Sequence, residues 1–152
     1  MNHWLFKSEP DVYGIDHLAA EPGQQGRWDG IRNYQARNHL KDTVEVGDQV
    51  LFYHSSCPQP GVAGVMEVTK AAYPDPAQFD PGSDYYDPKA TQEKPRWYAV
   101  DVKLVRRFPK VIASTLMKQQ PLLSGMQMFK QGRLSVVPLT ETEWQTVLSM
   151  AD

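Results

Sequence analysis

The amino-acid sequence predicts one α+β domain, a mixed β-barrel with short helices packed around it. Segments with the alternating or β-branched pattern of strands outnumber the helical segments and are longer. They do not alternate regularly with helices, which disfavours a Rossmann-type sheet. The 152 residues are enough for one hydrophobic core, and no linker, repeat or low-complexity segment divides them. We therefore expect a single domain over residues 1–152.

The N-terminal half is predicted to contain three strands and two short helices. Its first strand is an apolar-aromatic run that Pro10 ends, because proline has no N–H for the ladder. Asn33 is a plausible N-cap for the second helix. In the third strand, Gly61 and Gly64 predict a bulge or a close backbone approach. The predicted elements are a strand over 3–8, helical turns over 14–23, a helix over 33–42, and strands over 44–55 and 61–73.

The C-terminal half is predicted to open with an irregular loop and to end in a helix. Residues 74–95 hold five prolines and few aliphatic side chains, and loops of this length are often functional. Val100, Val102 and Leu104 then alternate with other residues, as in a strand with one apolar face. Thr140 and Glu143 form a capping-box pattern. The predicted elements are a strand over 96–108, helices over 113–121 and 124–132, a strand over 133–139 and a helix over 140–150.

Charge is unevenly distributed along the chain. The net charge is −2 and the pI is near 6.1, which disfavours a general nucleic-acid coat. Residues 42–93 hold nine acidic and two basic side chains, whereas residues 94–133 hold nine basic and one acidic. This segregation predicts one positive and one negative face, unless neighbouring strands mix the two blocks in space.

The sequence also bears on the compartment. No apolar run approaches the roughly 18 residues of a membrane span, and the N-terminus has no signal-peptide pattern. The single cysteine, Cys57, excludes an internal disulfide and favours a reducing environment. We therefore expect a cytoplasmic protein that does not contact membranes.

Motifs of catalytic, metal or cofactor sites are missing from the sequence. It contains no glycine-rich phosphate loop, no H-E-x-x-H and no C-x-x-C. Its four histidines are scattered, and one cysteine cannot build a thiolate metal site. Cys57 lies three residues from His54, but nothing else supports a nucleophile and base. We therefore expect no catalytic residue, no cofactor and no metal.

Polar and aromatic side chains gather instead at segment boundaries. Trp28 precedes a turn signal at Asp29 and Gly30, which predicts that the indole stands at the start of a loop rather than inside a strand. Arg32 and Asn33 follow, and both can hydrogen-bond a base or a phosphate. Further polar groups end the strands over 3–8 and 44–55. Strand ends around an aromatic wall predict a small polar-rimmed pocket, of the kind that holds an extruded base.

Each of these residues also has a simpler interpretation. Taken alone, Trp28 is more typical of a core or rim aromatic residue than of a ligand platform, and Asn33 is more typical of a helix cap. His54 is typical of a strand-end histidine whose hydrogen bonds are satisfied within the fold. Composition and spacing therefore predict only a ligand-binding, β-rich domain.

A set of ordered motifs makes the prediction more specific. They are "WLFKSEP", "WDGIRNYQARN", "GDQVLFYHS", "GVAGVMEV", "AAYPD", "WYAVDV" and "GRLSVVPL". Over roughly residues 2–149 the chain resembles EVE domains, including the small stand-alone EVE proteins of bacteria. The resemblance implies a PUA-like fold, a bent pseudo-barrel sheet with helices around it, similar to YTH, ASCH and PUA domains.

The resemblance also implies a function. EVE domains are expected to be non-catalytic readers of modified nucleobases, with 5-hydroxymethylcytosine and related modified cytosines in DNA as the leading ligands. Because prokaryotic members often accompany restriction-like enzymes, a restriction-type nuclease is a candidate protein partner. The nucleic acid is expected to be modified DNA rather than RNA.

Carried onto this chain, the resemblance implies two sets of contact residues. Trp28 would be the stacking platform and Asn33 the reader of the base edge, with Ser8 and His54 as further hydrogen-bond donors. The implied pocket set is Lys7, Ser8, Glu9, Trp28, Arg32, Asn33, Tyr53, His54 and Ser55, with Arg133 and Ser135 from the last strand. The basic block would supply the phosphate contacts Lys103, Arg106, Arg107 and Lys110, which are otherwise solvated charges at a strand end.

Three alternatives stay open at this point. The same pocket could belong to an enzyme that acts on a modified nucleotide or a small metabolite. It could read a modification in RNA, as YTH domains do. The chain could also be an adaptor whose loop over 74–95 docks a protein partner.

Overall fold

The computed structural model describes residues 2–151, which form one six-stranded mixed sheet with short helices around it. The strand order is β2-β5-β4-β3-β1-β6; β1 and β3 are parallel and the other neighbours are antiparallel. The sheet does not close, because β2 and β6 stay at its two edges. The predicted bent pseudo-barrel is confirmed. The strands are β1 (His3–Ser8), β2 (Gln25–Trp28), β3 (Gln49–His54), β4 (Gly61–Pro74), β5 (Tyr98–Ala113) and β6 (Val136–Leu139).

The sheet bends strongly, as aromatic contacts across it show. In a flat sheet β2 would lie about 19 Å from β1, since four strand steps of about 4.8 Å separate them. The Trp28 ring of β2 nevertheless lies 5.6 Å from the Phe6 ring of β1 and 5.0 Å from the Phe52 ring of β3. These buried rings bring the edge strand β2 into one core with β1 and β3, on the other side of the sheet.

Close backbone approach between β4 and β5 accompanies this bend. The register shifts between Val62 and Gly64, opposite a stretch of β5 that includes Pro109. A Cβ added at Gly64 would collide with the carbonyl oxygen of Arg106, and one added at Gly61 would collide with that of Ile112. The predicted bulge and close approach are confirmed. They also explain how β5 continues past Pro109, because a bulge tolerates a residue without an N–H.

Gly64→Ala is expected to lower the free energy of unfolding by about 1–3 kcal/mol, because the added methyl group overpacks the β4–β5 contact. Gly125→Ala is the matched control, since an added Cβ there has no heavy atom within 4 Å. Urea unfolding of the two variants measures the difference. Equal losses would contradict the close approach at Gly64.

Six short helices flank the sheet in the described residues. Asn33 caps α3, its side-chain oxygen accepting from the Ala36 N–H at 2.9 Å, and Thr140 and Glu143 form a reciprocal capping box on α6. Both predicted caps are confirmed. No helix among residues 2–151 is long and apolar enough to cross a membrane. The helices are α1 (Pro10–Tyr13), α2 (Ile15–Ala20), α3 (Tyr34–Asp42), α4 (Ser114–Gln119), α5 (Gln127–Lys130) and α6 (Glu141–Ser149).

Two local predictions were wrong. Trp28 is not at the start of a loop: it is the last residue of β2, where it pairs with Val100 of β5. β2 is only four residues long, so the sequence shows no alternating pattern from which this strand could be predicted. The strand is defined by its pairing with β5. Arg133 and Ser135 do not belong to the last strand, because β6 begins at Val136. They lie in the loop before it.

Candidate functional site

A cavity of about 520 Å³ lies where several chain segments meet near the end of β1. Its wall is formed by the ends of β1 and β2, by α1, and by loops around residues 55, 85 and 133. This volume is within the range of cavities that bind small molecules, about 300–1,000 Å³. Eight predicted pocket residues line it: Lys7, Ser8, Glu9, Trp28, Arg32, Ser55, Arg133 and Ser135.

The other three predicted pocket residues do not line this cavity. Asn33 is exposed and caps α3. The Nε2 atom of His54 accepts a hydrogen bond from the Ile15 N–H at 3.1 Å, and burial lowers the pKa of His54. Tyr53 is buried, with the Lys7 ammonium 5.6 Å from its ring centre. For Asn33 and His54 the simpler interpretation fits: each completes a hydrogen bond of the fold.

Strand pairing fixes one lip of the cavity. Lys7 donates its backbone N–H to the Ser135 carbonyl at 2.9 Å and its ammonium to the Gly132 carbonyl at 3.1 Å. The Ser8 carbonyl accepts from the Ser55 N–H at 2.9 Å. Burial lowers the pKa of Lys7. The end of β1 therefore holds the loops around residues 55 and 133 in place, with the Lys7 cation partly desolvated between them.

Trp28 contributes only a narrow strip to the cavity wall. It is 3% exposed and touches three aromatic rings, those of Phe6, Phe52 and Tyr13. Most of the indole therefore packs in the core. Trp28 combines the two roles that the sequence left open, a core aromatic residue and a wall of the pocket.

Arg32 is held in place by the fold. Its guanidinium donates to the Asp75 carboxylate at 3.0 Å, to the Tyr85 carbonyl at 2.8 and 3.1 Å, and to the Ile31 carbonyl at 2.9 Å. The Asp75 side chain is fully buried. A satisfied, planar cation of this kind positions its neighbours. Arg32 therefore ties the loop over 74–95 to the residues after β2.

That loop brings an aromatic residue, Tyr85, to the cavity. A Cβ added at Gly30 would lie 2.9–3.2 Å from three carbons of the Tyr85 ring, so only glycine allows this approach. Gly30 also has a φ of +76°, which glycine adopts without strain. The sequence did not single out Tyr85. Its only signal was an aromatic residue in a long loop whose length suggested function.

A buried amide, that of Gln78, connects the two ends of this loop. The buried Gln78 donates to the carbonyls of Asp75 and Trp97, both at 2.8 Å, and accepts from the N–H groups of Arg96 and Trp97. All four hydrogen-bonding positions of this amide are used. These hydrogen bonds anchor the base of the loop, whose Tyr85 lines the cavity.

Two charged residues of the cavity, Arg27 and Asp29, were missing from the predicted set. Burial and the nearby Asp75 raise the pKa of Asp29, while Arg27 and Arg32 oppose that shift. Arg27 donates to the Tyr73 hydroxyl at 3.2 Å, and this hydroxyl donates to Asp101. The sequence predicted the turn after Trp28, but it did not indicate that the Asp29 side chain faces the cavity.

The four predicted phosphate contacts are exposed on β5 and do not line the cavity: Lys103, Arg106, Arg107 and Lys110. Arg107 forms an ion pair with Asp16. Lys103 lies opposite Glu67, and Asp101 lies opposite Lys70. Strand pairing therefore mixes the acidic and basic blocks at these positions. The phosphate role of the four residues stays a prediction.

Residues 2–151 offer no group of three or more His, Cys, Asp or Glu side chains that could hold a metal ion.

Comparison with known proteins gives consistent matches over the whole chain. The EVE domain family model matches residues 2–150. Human thymocyte nuclear protein 1 is 39% identical, over 99% of this chain and 74% of that protein. A hypothetical protein from Leishmania major has a TM-score of 0.95 and 46% identity, covering 99% of this chain and 94% of that chain. Human THYN1 in complex with 5-methylcytosine-containing DNA has a TM-score of 0.94 and 40% identity, covering 100% and 98%.

A more distant likeness concerns the fold alone. The YTH domain of the Zygosaccharomyces rouxii MRB1 protein, in complex with N6-methyladenosine RNA, has a TM-score of 0.51 at 15% identity. It covers 99% of this chain and 83% of that chain. The expected similarity to the YTH fold is confirmed.

Proposed function

Because the chain belongs to the EVE domain family, we propose that it is a non-catalytic module that reads modified cytosine in DNA. One observation carries the proposal: human THYN1, which aligns over the whole chain with a TM-score of 0.94, was solved in complex with 5-methylcytosine-containing DNA. In this proposal the modified base leaves the duplex and enters the cavity at the end of β1.

The cavity has the features that a flipped base requires. Its volume of about 520 Å³ accommodates a pyrimidine with a small substituent. Trp28 and Tyr85 supply aromatic surface, and the Ser8 and Ser55 hydroxyls supply hydrogen-bonding groups. Lys7 and Arg133 add positive charge, which favours approach of the phosphate backbone. Aromatic contact would give affinity, and the polar groups would give selectivity.

Tyr85→Ala is expected to weaken binding of a duplex with one 5-methylcytosine or 5-hydroxymethylcytosine by roughly 5- to 150-fold, because loss of one base–aromatic contact costs about 1–3 kcal/mol. Tyr86→Ala is the matched control, since Tyr86 is the next residue, is exposed and does not line the cavity. Fluorescence anisotropy with modified and unmodified duplexes measures both affinities.

The outcomes separate the proposal from its alternatives. A wild-type protein that binds modified and plain duplex equally would contradict it. Preference for modified single-stranded RNA over modified DNA would favour an RNA reader. A mass change in the modified oligonucleotide after incubation would identify an enzyme.

Two finer expectations stay predictions. A restriction-type nuclease as a protein partner would be detected by co-purification that survives Tyr85→Ala. The cytoplasm was expected from the sequence, whereas the curated vertebrate relatives carry "nuclear" in their names. Fluorescence imaging of the tagged protein in its own cells tests the compartment.

A further inference from the structure

The hydrogen-bonding groups of the cavity are unequally used by the fold. Lys7 donates to Gly132, and Arg27 donates to Tyr73. Arg32 donates to Asp75 and Tyr85. The Asp29 carboxylate, in contrast, accepts a hydrogen bond from its own backbone N–H and has no hydrogen bond or ion pair with another side chain in residues 2–151. Asp29 therefore has acceptor capacity to offer to a ligand, whereas Lys7, Arg27 and Arg32 already donate to groups of the fold.

Asp29 lies beside the aromatic residues of the cavity. Asp29 lies between Trp28 and Gly30, and the Tyr85 ring packs against Gly30. All three side chains that matter here, those of Trp28, Asp29 and Tyr85, line the cavity. A base in contact with the two aromatic residues would have Asp29 beside it. The residue is exposed as a whole, and the local burial of its carboxyl group raises the pKa of Asp29.

The chemistry of the pyrimidines makes such an acceptor selective. Cytosine and its 5-substituted forms carry an N4 amino group, a donor that Asp and Glu side chains accept from. Thymine has the O4 acceptor at the same position. Because 5-methylcytosine and thymine share the 5-methyl group, a pocket that fits this methyl cannot distinguish them. The discrimination must come from groups that face the Watson–Crick edge, either the N4 or O4 position or the adjacent N3, which accepts in cytosine and donates in thymine. A carboxylate is suited to the first of these, because it accepts from the N4 amino group.

We propose that Asp29 is the residue that selects cytosines, its carboxylate accepting a hydrogen bond from the N4 amino group of the flipped base. The inference rests on the proposed function, and it adds which side chain reads the base and at which position of the base edge. Thymine would be rejected because its O4 faces the carboxylate and leaves both acceptors without a donor. Glu9, the other carboxylate of the cavity, is the residue before α1 and is not adjacent in the sequence to Trp28 or Gly30.

Asp29→Asn tests this inference, because the amide has the size of the carboxylate but can also donate to O4. The probes are duplexes with one 5-methylcytosine or one thymine opposite an abasic site, so that no base pair opens in either case. The wild type is expected to prefer 5-methylcytosine, and Asp29→Asn is expected to reduce this preference roughly tenfold. Asp29→Ala should lose affinity for 5-methylcytosine without gaining affinity for thymine.

Asp42→Asn is the control for charge, since Asp42 is exposed at the end of α3 and outside the cavity. It should change both affinities equally. If Asp29→Asn keeps the wild-type preference, or if Glu9→Gln alone removes it, the inference is overturned while the proposed function stands. If the wild type binds neither probe above plain duplex, the proposed function itself fails. Melting curves of each variant confirm that it is folded.

Discussion

Trp28→Ala is expected to lower the free energy of unfolding by about 3–5 kcal/mol, the usual cost of removing a large aromatic side chain from a core. The indole is 3% exposed and contacts the rings of Phe6, Phe52 and Tyr13. These contacts pack β2 against β1 and β3 across the bent sheet. The substitution therefore opens a void between these strands. Urea unfolding monitored by circular dichroism measures the loss.

The family resemblance implied that Trp28 is a stacking platform for the base, whereas a loss of this size would show that its main role is in the core. Trp28→Phe retains part of the packing and should cost clearly less than Trp28→Ala. A loss below about 1 kcal/mol in Trp28→Ala would contradict the core position. A loss of binding in Trp28→Ala can therefore be interpreted only together with a measurement of how stable the variant is.

Asp75→Ala is expected to cost about 3–5 kcal/mol, because it breaks a buried ion pair by removing one partner. Its carboxylate accepts from the Gly30 N–H at 3.0 Å, the Ala77 N–H at 2.9 Å and the Arg32 guanidinium at 3.0 Å. Without it, the Arg32 cation is left partly buried and unpaired. Thermal unfolding measures the loss, and limited proteolysis shows whether the loop over 74–95 is released.

Asp84→Ala is the control for this experiment, since Asp84 is exposed in the same loop. Asp75→Asn keeps an acceptor of the same shape and should cost less than Asp75→Ala. Protease resistance of the loop in Asp75→Ala would show that Gln78 and its four hydrogen bonds are sufficient to hold it.

Local signals predicted much of the fold. The strand predicted over 3–8 matches β1, because a short apolar run ended by a proline is a local pattern that indicates both the strand and its end. The caps at Asn33 and Thr140 are also local, since each involves residues only three positions apart. Their energies come from neighbours in the sequence, and sequence patterns record such neighbours well.

Features that depend on distant partners were missed. β2 exists through its pairing with β5, about 75 residues later along the chain. Tyr85 reaches the cavity through Arg32 and Gly30, which lie more than 50 residues earlier. Asn33 and His54 were placed in the pocket because their chemistry suits a ligand. The same chemistry suits a helix cap and a backbone N–H, and only the three-dimensional arrangement decides between them.

The cavity has a consequence for how binding can be detected. Its walls come from residues 7–9, 12–13, 27–32, 55–56, 85, 132–133 and 135, so no short fragment of the chain contains it. It exists only while the whole domain is folded, and an occupant therefore stabilises the folded state by mass action. At a hundredfold excess over Kd this linkage amounts to about 2.7 kcal/mol. Nucleosides and short oligonucleotides can therefore be ranked by the rise in melting temperature that each one produces, without any label.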